Sequence, residues 1–177
     1  VLADVRFIPG ESTILAAAAD NNSYLFDYSL LKLLTGHDGA VTGVAFTQNG
    51  DQLLTVGADG TARLWNLADE KVVSTLVGSA GAISSLVVTA DGKRAIIGRA
   101  DKNVDIFDLP QQPAPQLKPT TTLTQPAPIT ALAADKSADR IAIGGSDNTI
   151  RLWSLKTGTE VERLAGHAGA VLASALT

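Results

Sequence analysis

The feature that most restricts the fold of this 177-residue chain is an aspartate that recurs at a nearly constant interval. Its four copies stand 39, 42 and 46 residues apart, and each ends a Gly-x-Asp or similar turn. A repeat of this length is typical of folds that stack one small supersecondary unit several times. The sequence therefore predicts four similar units. The aspartates are Asp20, Asp59, Asp101 and Asp147.

The apolar positions keep a constant phase around these aspartates. An aromatic residue comes six positions after each of them, and in the second unit four β-rich segments are separated by turn residues. A period near 42 residues with four strands indicates a propeller blade. The aromatic residues are Phe26, Trp65, Phe107 and Trp153, and the β-rich segments are residues 41–46, 52–57, 61–67 and 71–77.

The second segment of each unit is almost continuously apolar, as in "RAIIG" and "RIAIG". A strand of this kind suits a sheet that is covered on both faces. The alanine run at residues 14–20 is favourable for a helix, but its phase matches the second strand of the other units. We therefore expect a strand there as well.

The second unit carries the residues that resemble a known family. A Gly-His pair at residues 36–37, Asp59 and Trp65 together resemble one WD40 repeat, with 22 residues between His37 and Asp59. A second Gly-His pair at residues 166–167 has the phase of a fifth unit. The resemblance covers nearly the whole chain, and it implies an all-β, WD40-type β-propeller.

The implied architecture is about four four-stranded antiparallel blades plus one extra first strand. Four blades do not close the usual ring, so we expect either part of a larger propeller or a second copy that completes it. The start at Val1 instead of Met favours the first alternative. The expected blades are residues 1–35, 41–77, 83–124 and 129–165, and the extra strand is residues 171–176.

In the WD40 family a His, a Ser or Thr, the turn Asp and the Trp form a buried hydrogen-bonded set. The resemblance implies this structural network for His37, Thr55, Asp59 and Trp65, since a buried indole N–H needs an acceptor and a buried carboxylate needs donors. A His–Thr–Asp trio could also act as base, nucleophile and acid, but both histidines of the chain occupy network positions. The network extends by analogy to Asp20, Asp101, Asp147, Trp153 and His167.

The other units depart from this pattern. In the fourth unit Gln125 and Ile143 replace the His and the hydroxyl residue, and in the third Ser79 stands in the His position. The first and third units have Phe where the others have Trp. Where Phe replaces Trp, no N–H needs an acceptor, so the loss of the other partners costs less.

Residues 110–128 hold six of the seven prolines. Proline fixes φ and lacks an amide donor, so this Pro-rich segment is expected to form an extended surface loop before and after a weak edge strand. A ligand for a small proline-recognising domain is the alternative interpretation.

Composition excludes several classes of function. The net charge is −4 and the basic residues are scattered, which argues against nucleic acid as a partner. No apolar run is long enough for membrane insertion, and without cysteine there are no disulfides or thiolate sites. No motif indicates a cofactor or a metal. A soluble protein is expected; its compartment is open, with the cytoplasm favoured.

The function expected from these features is a non-catalytic scaffold for protein–protein interaction. An unknown protein partner would contact loops at the propeller rim, because loops on a rigid scaffold often carry binding. The alternatives are the propeller portion of a larger enzyme or electron-transfer protein, or a segment that only completes the ring. The candidate partner-binding residues are Asn21, Asp38, Arg99, Lys102, Ser146 and Asn148.

Overall fold

The computed structural model describes residues 2–7, 14–26, 31–47, 50–78, 80–110 and 114–172. Within these ranges every regular element is a β-strand, and the strands form four sheets. The prediction of an all-β protein built from four-stranded antiparallel blades is confirmed. The chain divides into two compact units, Val1–Gly78 with Pro110–Lys118 and Ser79–Leu109 with Pro119–Thr177.

Each sheet contains four antiparallel strands that pair in the order of the chain. The first sheet contains β1 (Leu2–Phe7), β2 (Ile14–Ala18), β3 (Asn22–Phe26) and β4 (Leu31–Thr35). The second contains β5 (Val41–Phe46), β6 (Gln52–Gly57), β7 (Ala62–Asn66) and β8 (Lys71–Leu76). The third begins with β9 (Ile83–Val88), β10 (Arg94–Arg99) and β11 (Asn103–Asp108). Two short strands follow in the chain: β12 (Gln116–Leu117), which belongs to the second sheet, and β13 (Thr121–Thr124), which completes the third. The fourth sheet contains β14 (Ile129–Ala134), β15 (Arg140–Gly145), β16 (Thr149–Ser154) and β17 (Thr159–Ala165).

The second strand of the later sheets is buried along nearly its whole length. In β6, β10 and β15 all five residues after the first are buried. Both faces of these strands are therefore covered, as their continuous apolar sequences predict. In the second sheet, the indole of Trp65 packs into an apolar cluster with Leu34, Val44 and Leu53.

The Pro-rich segment differs from the expected loop. Residues 121–124 form β13, the outer strand of the third sheet, in agreement with the expected edge strand. Residues 116–117 form β12, which was not expected and which pairs in parallel with β8. The second sheet consequently has five strands. β8 is the last strand of the antiparallel meander, and a proline-containing strand can pair at such an outer edge.

The expected fifth-blade strand at residues 171–176 lies largely outside the described residues. Of this strand only Val171 and Leu172 are described. Val171 is buried, its side chain lies against Gly144, and its carbonyl accepts a hydrogen bond from the hydroxyl of Thr130.

One end of each sheet carries both the loop that leads into the first strand and the turn between the second and third strands. We call it the turn end. Backbone hydrogen bonds join the two loops in three sheets: the amide of Ala58 donates to the carbonyl of Ala40 over 2.8 Å, and the amides of Ala100 and Ser146 make the corresponding bonds over 2.9 and 3.0 Å. The lead-in loop and the turn thus form one ordered surface.

Candidate functional site

The four turns share one backbone conformation. The residue after each turn aspartate has a left-handed backbone, with φ between 64° and 76°. Each aspartate accepts a hydrogen bond from the amide two residues further along, over 3.0 to 3.4 Å. This is the Asx pattern that stabilises tight turns. The left-handed residues are Asn21, Gly60, Lys102 and Asn148.

The second sheet contains the complete network. His37 Nδ1 lies 3.0 Å from Asp59 Oδ2, and His37 Nε2 lies 2.8 Å from the hydroxyl of Thr55. The indole Nε1 of Trp65 donates to the same hydroxyl over 2.8 Å. Asp59 also accepts from the amide of Asp38 over 3.0 Å, which ties the lead-in loop to the turn. The structure thus brings together the four residues that the WD40 resemblance places in one set.

The donors and acceptors assign a direction to this network. The indole of Trp65 can only donate, so Thr55 accepts from it and donates its own proton to Nε2 of His37. The Nδ1–H of His37 then donates to the carboxylate of Asp59. A Cβ on Gly57 would lie 2.6 Å from His37 Nδ1, so glycine is required beside the network.

The protonation states agree with this direction. Burial is the main reason that the pKa of His37 is lowered, and it outweighs the attraction of Asp59. Burial by itself would raise the pKa of Asp59, but hydrogen bonds from the amide of Thr61, from His37 and from the amide of Asp38 outweigh burial and lower it. A neutral imidazole therefore faces an ionised carboxylate at neutral pH.

The network is inaccessible to a substrate. Thr55 is fully buried and His37 is 6% exposed, so the hydroxyl that a nucleophilic triad would use faces protein atoms. The hydroxyl is also engaged by the indole of Trp65. The geometry is that of a structural support for the turn.

The fourth sheet holds its turn aspartate differently. Two guanidinium nitrogens of Arg151 lie 2.6 and 3.2 Å from the two carboxylate oxygens of Asp147. The hydrogen bonds from Arg151 are the main cause that lowers the pKa of Asp147 to about 2. Ile143 occupies the place of the hydroxyl residue, and Trp153 Nε1 and both polar atoms of Gln125 have no hydrogen-bond partner among the described residues.

The third sheet corrects one predicted site residue. Arg99 was expected at the exposed rim, but it is the last residue of β10 and 1% exposed. Its Nε donates to Asp105 over 2.8 Å and its Nη1 to the carbonyl of Gly81 over 3.0 Å, and Thr122 also donates to Asp105. A buried arginine with these partners offers no contact surface.

The signal for this pair was present in the repeat alignment. Two residues before the turn aspartate the second and fourth units have glycine, and four residues after it they have arginine. In the third unit these positions hold Arg99 and Asp105, so the arginine has moved to the opposite strand of the hairpin. The turn aspartate Asp101 then accepts from the amide and the side chain of Asn103.

In the first sheet the hydroxyl of Tyr24 donates to Asp20, which is exposed. That hydrogen bond is the main reason that the pKa of Asp20 is lowered. His167 is exposed, and most of the strand expected after it lies outside the described residues.

The remaining candidate partner-binding residues lie at the turn ends. Asn21, Asp38, Lys102 and Ser146 are exposed, and Asn148 is half-buried. Within the described ranges no group of three metal-ligating side chains is found. The same ranges contain no helix suited to crossing a membrane.

Comparison with known proteins follows the same repeats. The family model described as "WD domain, G-beta repeat" matches residues 28–66 and 117–154, which end at or next to Trp65 and Trp153. This chain carries WD40 repeats. The matched segments include β5–β7 with the complete network and β14–β16 with the arginine–aspartate pair, so the family pattern tolerates both solutions.

Curated WD40 relatives align over most of the chain. It is 26% identical to pre-mRNA-processing factor 19 of Bos taurus over 161 residues, which cover 89% of this chain and 32% of that protein. It is 30% identical to the small ribosomal subunit protein RACK1y of Oryza sativa subsp. japonica over 159 residues, covering 85% and 47%. A WD repeat-containing protein of Synechocystis is 35% identical over 95 residues, covering 51% and 27%. The chain thus spans less than half the length of these relatives.

Proposed function

We propose that this chain is a non-catalytic scaffold that binds a protein partner through the turn ends of its sheets. WD40 repeats supply a stiff β-sheet framework, and the loops at the turn ends are tied down by backbone bonds and by the turn aspartates. A partner that binds such preorganised loops loses little conformational entropy in the scaffold.

The observation that carries this proposal is the left-handed backbone conformation of the exposed Lys102. Its φ is 73°, a left-handed conformation that costs about 1 kcal/mol for a residue other than glycine or asparagine. The equivalent residues in the other three turns are asparagine or glycine, which adopt this conformation more readily. Lys102 is also exposed. A strained residue with a side chain in solvent favours a role outside the fold.

The other candidate residues also lie at the turn ends of their sheets. Ser146 and Asn148 belong to the turn of the fourth sheet, in the same compact unit as Lys102. Asn21 and Asp38 occupy the turn ends of the first and second sheets in the other unit. We propose these five residues as contacts to a partner, with Lys102 making the largest contribution.

Crosslinking tests the proposal. A photo-reactive amino acid would replace Lys102 in cells of the source organism, and a matched protein would carry it at Lys136, an exposed lysine in the β14–β15 loop at the other end of its sheet. We expect a discrete crosslinked partner from position 102 and not from position 136. Equal crosslinking at both positions would contradict binding through the turn ends.

The captured partner then allows a quantitative test. We expect Lys102→Asn to weaken its affinity several-fold, and to raise the free energy of unfolding by up to about 1 kcal/mol because the backbone strain is relieved. Lys136→Asn is the control and should change neither quantity. Unchanged affinity of the Lys102→Asn protein would remove Lys102 from the contact surface.

A further inference from the structure

Residues 114–118, here called the strap, pair with a different sheet from the strands that flank them in the chain. They follow β11 and precede β13, two strands of the third sheet, yet they pair with β8 of the second sheet. Leu109 and Pro119 belong to one compact unit, whereas Pro110–Lys118 belongs to the other. The strap and β8 therefore belong to the same compact unit, although the strap follows β11 in the chain.

The attachment of the strap is slight. Its ladder with β8 pairs two residues, Gln116 with Thr75 and Leu117 with Leu76. Further bonds run from the amide of Thr75 to the carbonyl of Pro115 over 3.1 Å and from the amide of Val77 to that of Leu117 over 2.9 Å. The side chains of the strap are exposed or half-buried. Segments with so few buried contacts open at low cost in free energy.

The outer edge of β8, with which the strap pairs, can accept an added strand. The ladder covers the last two of the six residues of β8, and the nearby side chains of Val72 and Val77 are 40% and 41% exposed. An outer strand with free amides and carbonyls accepts an extended segment from the same or another chain. The strap shows which register and direction this edge accepts.

We propose that the outer edge of β8 also takes the strap of a second copy, so that two chains associate by reciprocal exchange of their straps. A second copy carries the one segment that this structure shows to fit the edge. The exchange remakes every bond that it breaks, which is the physical basis of domain swapping. A chain's own strap competes with an effective concentration on the order of 1 mM, so the exchange depends on protein concentration.

Disulfide trapping tests this proposal cleanly because the natural chain has no cysteine. Thr75→Cys and Gln116→Cys place two thiols on paired residues of neighbouring strands, which lie about 4.8 Å apart and within reach of a disulfide. The chain that carries both substitutions reports the strap on its own β8. The two single variants, mixed at high concentration and then oxidised, form a 75–116 disulfide between chains when the straps have exchanged.

Random collision is measured with a matched pair. Gln116→Cys is mixed with Val161→Cys, an exposed residue of β17. We expect the 75–116 heterodimer to form many times faster than the 116–161 heterodimer and to increase with protein concentration. Equal rates for both pairs, with the double variant closed within its own chain, would overturn the exchange. A double variant that does not close would overturn the register on which the proposal rests.

Discussion

The turns of the second and fourth sheets have the same backbone, but they hold their aspartates with different side chains. In the second sheet His37, Thr55 and Trp65 form a directional chain of hydrogen bonds that ends on Asp59. In the fourth sheet Arg151 donates two hydrogen bonds to Asp147, and the hydroxyl of Thr149 donates a third. One carboxylate is largely buried and the other has a side chain that is 31% exposed.

The difference shows what the repeat requires. Each turn needs a carboxylate that accepts the amide two residues further along, together with a donor that satisfies the rest of that carboxylate. A histidine, an arginine or a tyrosine meets this need, as the second, fourth and first sheets show. Only the histidine solution also supplies an acceptor to the tryptophan, through Thr55.

The largest expected difference between the two sheets is the effect of removing the tryptophan. Trp65 is 3% exposed within an apolar cluster, whereas Trp153 is half-buried. We expect Trp65→Ala to lower the free energy of unfolding by about 3–5 kcal/mol, and Trp153→Ala to lower it less. Urea denaturation followed by circular dichroism measures both. Unchanged denaturation of Trp65→Ala would show that the indole is not part of the core.

Exchanging the residue at the hydroxyl position sharpens the comparison. Thr55→Ile leaves the indole N–H of Trp65 without an acceptor, so we expect a loss of about 1–3 kcal/mol. Thr55→Ser retains the hydroxyl and is the control. Ile143→Thr gives Trp153 an acceptor but sacrifices buried apolar surface, so we expect a net change within about 1 kcal/mol of zero. Equal losses for Thr55→Ile and Thr55→Ser would refute the hydrogen-bond account.

The histidine makes the second sheet sensitive to pH. Burial lowers the pKa of His37 from its ordinary value of 6.5. Below pH 6.5 the unfolded chain therefore binds a proton at this residue more readily than the folded chain does. This contribution to stability is complete above pH 6.5 and decreases as the pH falls toward the folded pKa, by at most about 1.4 kcal/mol per pH unit. His37→Gln, which imports the residue of the fourth sheet, should remove that dependence. Parallel profiles of unfolding free energy for the two proteins between pH 7 and pH 5 would contradict it.

The smallest expected effect concerns the arginine of the fourth sheet. Arg151→Lys replaces a two-pronged contact with a point charge, and Asp147 is partly exposed, so we expect a loss of about 0.5–1 kcal/mol. The pKa of Asp147, measured by NMR, should rise from about 2 toward 3.8. Arg63→Lys is the matched control, since Arg63 lies 3.9 Å from Asp59. A pKa of Asp147 that stays near 2 would show that other donors hold the carboxylate.

The sequence predicted the repeat, the strands and the residues of the complete network, because these depend on local periodicity and on a motif with fixed spacing. It placed Arg99 at the surface because turn phase alone does not report burial. The pairing of Arg99 with Asp105 could have been inferred, because these two residues stand where the second and fourth units have glycine and arginine. The contribution of Thr122 could not, because the Pro-rich segment before β13 lengthens the repeat and the repeat phase does not place Thr122.

By itself the sequence determined where the strands begin and where the turns between them lie. The apolar phase, the turn residues and the residues that adopt a left-handed backbone all act over a few positions. The tertiary structure decided which donor reaches each turn carboxylate and that residues 116–117 join β8, some forty positions earlier in the chain. Such contacts depend on the relative placement of distant strands. Local propensity does not encode that placement; it arises only when the sheets pack and most buried polar groups acquire a partner.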